Sequence, residues 1–266
     1  MTIATVIDRV DGDADLLAAA AAYEQRFDTT FATFVFFDAA LLADLHAEGP
    51  LPGTVVQASD TDPAVADHVD SLTRVANLAT QSADDQARYL HTLEEIYGRL
   101  AVSPVVACRG ADLVIAPQRE GRILAERLGC LPGAASAWAP QAKRIAVRGG
   151  LLVGFDSRPP ATVNGRVAVI DGVVASGVTL MAALHLAAAP GARVDIFTSH
   201  STAAGALALA RYADRLRHAT TVHVGHVSGV LNDRFYAVDP GDPARLVLGD
   251  VGDTISGVAD RQAVSR

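Results

Sequence analysis

From residue 111 onward, short apolar runs alternate with segments whose hydrophobic positions recur every three or four residues. Such switching between periods predicts strands separated by helices, an α/β domain built on a parallel sheet. The sharpest run, Val167-Ala-Val-Ile170, is wholly apolar and mostly β-branched, as a strand buried on both faces requires. Asp171 ends it. Gly172, Ala175, Ser176, Gly177 and Thr179 then crowd small and hydroxylic residues into a tight loop, and Leu180, Leu184 and Ala188 follow at helical spacing. Further strands are expected at 112–116, 194–198 and 222–227. Helices are expected after Gly121, where Ile123, Leu124 and Leu128 run up to a closing Gly129, and across the alanine-rich 202–217.

The first hundred residues read differently. Residues 13–27 predict a helix, and Ser82-Ala-Asp-Asp85 matches a capping box ahead of Leu90, Leu93, Tyr97 and Leu100 at helical spacing. Residues 31–45 are aromatic-rich, and their periodicity does not separate strand from helix. Gly49-Pro-Leu-Pro-Gly53 is a break, and the polar stretch 60–70 is a loop or the start of a helix. Residues 1–100 are therefore expected to form a mostly helical extension packed on a core domain of residues 101–266. The extension shows no catalytic constellation, so its plain role is cover or oligomer contact.

Half of the 266 residues are hydrophobic, enough for one large domain or a core with an extension. The formal charge of −8 argues against non-specific nucleic-acid binding, although a phosphate site needs only local positive potential. The apolar run at 17–22 is too short to span a bilayer, and the opening residues lack a signal-peptide pattern, so a cytoplasmic setting is expected. Cys108 and Cys130 have no metal-ligand spacing and read as buried thiols. His223 and His226 fall on opposite faces of one strand, which argues against a metal pair.

The chemistry concentrates at the loop after Ile170. A small-residue loop running into a helix N-terminus aims backbone N–H groups at one point, where the helix dipole adds partial positive charge and a phosphate fits. Ser176 and Thr179 hydroxyls can donate as well, and Asp171 can accept from sugar hydroxyls. An ordinary strand-to-helix turn with an acid at its mouth is the other reading of the same residues. Arg119, in the turn 117–121, can hold a diphosphate together with backbone N–H groups, or simply stand on the surface. Lys143, Arg144 and Arg148 are further cations, either on a hairpin facing solvent or beside a leaving group.

Residues 167–179, Val-Ala-Val-Ile-Asp-Gly-Val-Val-Ala-Ser-Gly-Val-Thr, resemble the phosphoribosyl pyrophosphate (PRPP) loop of type I phosphoribosyltransferases. A single acid at the strand end is a trait of the uracil phosphoribosyltransferase branch. Arg119-Glu-Gly121 resembles the Arg-Ala-Gly of that branch's pyrophosphate loop. Val230-Leu-Asn-Asp-Arg-Phe-Tyr236 resembles its Leu-Asn followed by Gly-Tyr, and Leu248-Gly-Asp-Val-Gly-Asp-Thr-Ile-Ser-Gly257 resembles its Leu-Gly-Asp-Ala-Gly-Asp-Arg followed by Phe-Gly. The similarity runs from about Leu72 to Gly257.

The resemblance implies a central parallel sheet flanked by helices, a flap beginning near Lys143 and a small base-binding hood. It implies transfer of 5-phosphoribosyl from PRPP to a nucleobase, with Mg²⁺ on the diphosphate and ribose hydroxyls rather than on direct protein ligands. A homodimer is implied too. In this reading Ala175, Ser176, Gly177, Val178 and Thr179 hold the 5-phosphate; Arg119, Glu120 and Gly121 face the pyrophosphate. Asp171 and Arg119 carry catalysis, with Asp171 on the ribose hydroxyls and Asp253 near ribose or metal-bound water. Tyr236, Gly249, Asp250 and Val251 contact the base.

Departures cluster on the acceptor side. Residues 239–243 read as an insertion between Tyr236 and Gly249, Thr254 stands where the branch has Arg, and Gly172 replaces its usual Pro. Ser199-His-Ser-Thr202 replaces an Ala-Ala-Pro-Glu-Gly stretch. The expectation is therefore PRPP use with uracil or a related small heterocyclic or aromatic acceptor. A non-catalytic regulatory protein binding PRPP or a nucleotide is the alternative. A nicotinamide dehydrogenase is set aside, because no Gly-x-Gly-x-x-Gly follows a first strand.

Overall fold

The computed structural model describes residues 3–10, 12–78, 82–118, 120–232 and 235–247. The chain opens with β1 (Thr5–Ile7), α1 (Ala14–Phe27), β2 (Thr33–Asp38), α2 (Ala39–Leu45) and β3 (Val55–Gln57), followed by helices α3 (Ala64–Ala76), α4 (Ala83–Gly98) and α5 (Pro104–Arg109). It continues through β4 (Leu113–Ile115), α6 (Glu120–Arg127), β5 (Ala137–Trp138), the hairpin β6 (Ala142–Val147) and β7 (Gly150–Phe155), β8 (Arg166–Ile170) and β9 (Val173–Val174). Then come α7 (Val178–Ala187), β10 (Arg193–Ser201), α8 (Ala203–Arg215), β11 (Ala219–Val227), β12 (Val230–Leu231), β13 (Ala237–Asp239) and β14 (Asp242–Leu246).

A parallel sheet in the order β3-β11-β10-β8-β4-β5 forms the centre, with β9 added alongside β10. Side chains of β8 alternate across it. Val167 and Val169 enter one core with α7 and α8, whereas Ala168 and Ile170 enter another with α3, α4 and α6. Helices cover both faces, which is why every residue of the strand after the exposed Arg166 is apolar. The fold is the expected α/β architecture.

The N-terminal hundred residues supply strands as well as helices. β3 is an edge strand of the central sheet, with Val55 opposite Val222. β1 and β2 join the later hairpin in an antiparallel sheet ordered β1-β2-β7-β6. Phe34 packs under α1 while Val35 and Phe37 face the core containing α7. A strand buried on both faces has no amphipathic period, and this is why the pattern at 31–45 was ambiguous. Asp38 ends that strand, and its carboxylate accepts from the Leu41 amide at 2.8 Å to start α2. The capping box of Ser82 and Asp85 forms at α4 as its spacing requires.

The hairpin expected as a flap is thereby built into a sheet. β7 has a partner on each edge, β6 on one side and β2 on the other. Residues 239–243, expected as an insertion, form the turn between β13 and β14 in the antiparallel sheet β12-β13-β14. His223 stacks on Phe197 at 4.8 Å while His226 bonds Ser59, on opposite sides of β11. Cys108 and Cys130 are buried free thiols. Among the described residues no helix is long and apolar enough to cross a membrane, and no cluster of His, Cys, Asp and Glu is fit to hold a metal.

Candidate functional site

The loop after β8 is held from behind. The Asp171 amide donates to Phe197 O at 3.0 Å, continuing the ladder between β8 and β10, and one Asp171 carboxylate oxygen accepts from the Gly172 amide at 3.0 Å. Beyond that point the loop carbonyls turn onto β10. Gly172 O accepts from Ser199 N at 3.1 Å, Ser199 Oγ at 2.6 Å and Thr198 Oγ1 at 2.9 Å. Val174 O accepts from Thr202 N and Ser201 Oγ, both at 3.1 Å, and Ala175 O accepts from Thr202 Oγ1 at 2.6 Å. Each planar peptide carries its N–H on the edge opposite its C=O. Fixing these carbonyls therefore turns the amides of Val173, Ala175 and Ser176 away from β10, toward the cavity those residues line.

This explains the departure at Ser199-His-Ser-Thr202. Residues 198–202 are wholly buried, a costly place for hydroxyls unless each finds an acceptor, and the loop carbonyls are those acceptors. β10 accordingly runs to Ser201, past the expected end at 198. Beside it His200 is sealed off; burial, reinforced by nearby His226 and partly offset by the Ser228 backbone, pushes its pKa down to about 3.

A cavity of about 200 Å³ lies on the amide side of the loop. Ala175, Ser176, Gly177, Val178 and Thr179 all line it, as do Asp171, Glu120 and Tyr236. Pro117 and Gln118 come from the end of β4, Ala142 and Arg144 from β6, and Ala237 and Val247 from the small antiparallel sheet. Gly177 has a φ of 72°, a conformation natural only to glycine, and it lets the chain turn into α7. The Ser176 side chain is only 2% exposed, and its Oγ accepts from the Val178 amide at 3.4 Å. That hydroxyl therefore shapes the loop rather than reaching into the cavity. Gly121 is buried in the first turn of α6 and is not among the lining residues.

Glu120 accounts for Gly172. A Cβ at position 172 would lie 1.5 Å from Glu120 Oε1, so the buried Glu120 carboxylate occupies the space any side chain there would need. Tyr97, from α4, donates its hydroxyl to the Asp171 carbonyl. Burial raises the Tyr97 pKa well above its ordinary value, with the charges of Glu120 and then Asp171 adding to it, so the hydroxyl remains a donor. Arg144 is the one of the three hairpin cations that lines the cavity; its guanidinium carbon sits 5.3 Å from the centre of the Tyr236 ring, and Nη1 donates to Phe235 O at 3.4 Å.

Arg119, Gly249, Asp250, Val251 and Asp253 lie outside the described residues. Sequence reasoning passed over Tyr97, Arg144 as an individual, the hydroxyl run of β10 and His46, whose ring bonds the Ser176 carbonyl. Only the hydroxyl run had left a signal, namely polar residues extending an apolar strand next to the loop.

No protein-family model matches this sequence, and no curated protein matches it. Among solved structures, the AQ2163 protein from Aquifex aeolicus is similar at a TM-score of 0.51 and 17% identity, over 77% of this chain and 99% of that one. At that identity the likeness is one of fold: a parallel α/β core. Adenine phosphoribosyltransferase from Leishmania tarentolae is similar at 0.37 and 15% identity, over 55% of this chain and 75% of its own. Orotate phosphoribosyltransferase from Aeropyrum pernix is similar at 0.33 and 16% identity, over 54% and 73%.

Proposed function

We propose that this protein transfers a 5-phosphoribosyl group from PRPP to uracil or a related small heterocyclic or aromatic acceptor, releasing pyrophosphate. The observation that carries the reading is the cavity itself. Its wall brings together the loop residues at the start of α7, Asp171, and the Tyr236 ring with the Arg144 guanidinium against it.

The chemistry follows from those groups. The amides of residues 175–179 and the α7 dipole bind the 5-phosphate, and that binding energy fixes the sugar at a distance from the reacting carbon. Asp171 accepts from the ribose hydroxyls and favours the positive charge that grows on the anomeric carbon. The bond from that carbon to the diphosphate oxygen breaks, and pyrophosphate leaves with the electron pair. A ring nitrogen of the acceptor forms the new bond and its proton is lost. Tyr236 provides a face for the acceptor, held in place by Arg144. Asp171 and Glu120 give the cavity wall an acidic character that would suit Mg²⁺ carried on the diphosphate and ribose hydroxyls, without either carboxylate being a direct ligand. When bound on the diphosphate the metal neutralises the leaving group's charge. Resemblance adds Arg119 and the backbone of Glu120 and Gly121 to the diphosphate end, and Gly249, Asp250, Val251 and Asp253 to the acceptor and ribose end. It also carries a homodimer into the proposal.

Pyrophosphate release from PRPP and Mg²⁺ across a panel of bases tests the reading. Release with at least one acceptor is expected. PRPP binding with no release for any of them would overturn it in favour of a non-catalytic sensor.

A further inference from the structure

β10 clamps the carbonyls of Gly172, Val174 and Ala175, but the next loop carbonyl to be fixed, that of Ser176, is held from elsewhere. Its partner is His46, at the C-terminal end of α2, with Nε2 at 2.9 Å. The other ring nitrogen, Nδ1, lies 2.8 Å from Leu42 O. Both partners are carbonyl oxygens, which only accept, so a hydrogen on Nε2 is what lets the ring hold Ser176 O. The ring also packs on Phe235, with centres 5.7 Å apart, next to the Tyr236 that lines the cavity.

The anchor for this contact is firm. Asp38 caps the start of α2, and Arg211 of α8 donates to Leu45 O at 3.0 Å and Ala47 O at 2.6 Å on either side of His46. The peptide that presents Ser176 O carries the Gly177 N–H on its opposite edge. Holding the carbonyl on His46 therefore sets the direction of the Gly177 amide, which belongs to the cavity wall.

We propose that His46 is a positioning residue of the phosphate loop: a ring donor supplied by the N-terminal segment, which orients the Ser176–Gly177 peptide toward the bound 5-phosphate. The inference rests on the transferase reading above. It gives the N-terminal residues a part in the site beyond covering the core.

Calorimetry with ribose 5-phosphate and, separately, inorganic pyrophosphate tests it on the wild type, His46→Ala and His46→Gln. His46→Ala should weaken ribose 5-phosphate by up to about tenfold, the upper scale of one hydrogen bond, and leave pyrophosphate binding within twofold. Glutamine keeps one N–H donor and should recover part of the loss. Equal affinities in wild type and His46→Ala, or a parallel loss of both ligands, would overturn the proposal. The ring nitrogens report independently: ¹⁵N shifts of wild-type His46 should show a hydrogen on Nε2, and a hydrogen confined to Nδ1 would overturn the proposal. A wild type that binds neither PRPP nor ribose 5-phosphate would instead bring down the transferase reading, with the ring shifts still deciding whether Nε2 of His46 carries the hydrogen that holds Ser176.

Discussion

Thr202→Val gives the most direct test of how the loop is held. The substitution keeps volume and branching but removes Oγ1, which donates to Ala175 O at 2.6 Å and accepts from the Gly205 amide at 2.9 Å. Losing an α8 N-cap of this kind costs about 1 kcal/mol. Stranding the Ala175 carbonyl, the only one of the clamped three held by a single side chain and no backbone amide, adds about 1–2 kcal/mol. The sum is roughly 2–3 kcal/mol. Ser199→Ala is the control. It removes the 2.6 Å bond to Gly172 O, yet that carbonyl keeps Ser199 N and Thr198 Oγ1, so the loss should stay near 1 kcal/mol. Urea unfolding at constant m-value measures both, and ribose 5-phosphate affinity should fall further in Thr202→Val than in Ser199→Ala. Thr202→Ser should restore most of each quantity. If Ser199→Ala costs as much as Thr202→Val, counting residual donors on each carbonyl is the wrong account of the clamp.

Further outcomes follow from the same geometry. Asp171→Asn preserves an acceptor for the Gly172 amide but removes the charge, so turnover should drop by about a hundredfold or more while PRPP affinity changes much less; equal losses in steady-state kinetics and calorimetry would argue for a sensor. Gly172→Ala pushes a methyl into the Glu120 carboxylate and should destabilise by about 2 kcal/mol, with a smaller total loss when combined with Glu120→Ala; strict additivity in the double-mutant cycle would refute the contact. Acid should weaken the fold. His200 has a folded pKa near 3, below its ordinary 6.5, so the unfolded chain binds the proton first; stability is full above about 6.5 and is lost as pH falls toward 3, by up to about 1.4 kcal/mol per unit. Burial lowers His185, His218 and His226 as well, adding in the same direction. Urea melts between pH 7.5 and 5 should show a loss of at least about 2 kcal/mol, and a flat profile would contradict the buried neutral histidine.

What the sequence made legible depends on how local the cause was. The strand at 166–170, the turn at Gly177 and the capping box at Ser82 are each set by residues adjacent in the chain, and each formed where the pattern placed it. β2 was not legible as a strand, because Phe34 and Val35 are buried on opposite faces and the usual alternation vanishes. The pairing of β2 with β7 was invisible for a different reason: it joins residues more than a hundred positions apart, and no local preference encodes it.

The same distinction separates the parts of the site. The loop residues that line the cavity could be named in advance because the loop's own composition, small residues running into a helix N-terminus, suits an anion. Its supports could not. Tyr97 holds the Asp171 carbonyl from α4, Thr202 holds Ala175 from the far end of β10, and His46 holds Ser176 from α2. None of these side chains is chemically unusual for its position; a tyrosine in a helix, a threonine at an N-cap and a histidine at a helix end are ordinary readings. Their roles arise from which carbonyl each meets after the sheet has assembled. Amides that face a ligand must have their carbonyls fastened behind them, so a loop's binding residues and its supports lie on opposite edges of the same peptide planes. That requirement makes the supports predictable in kind from the loop alone, as buried donors, even where sequence cannot say which residues they are.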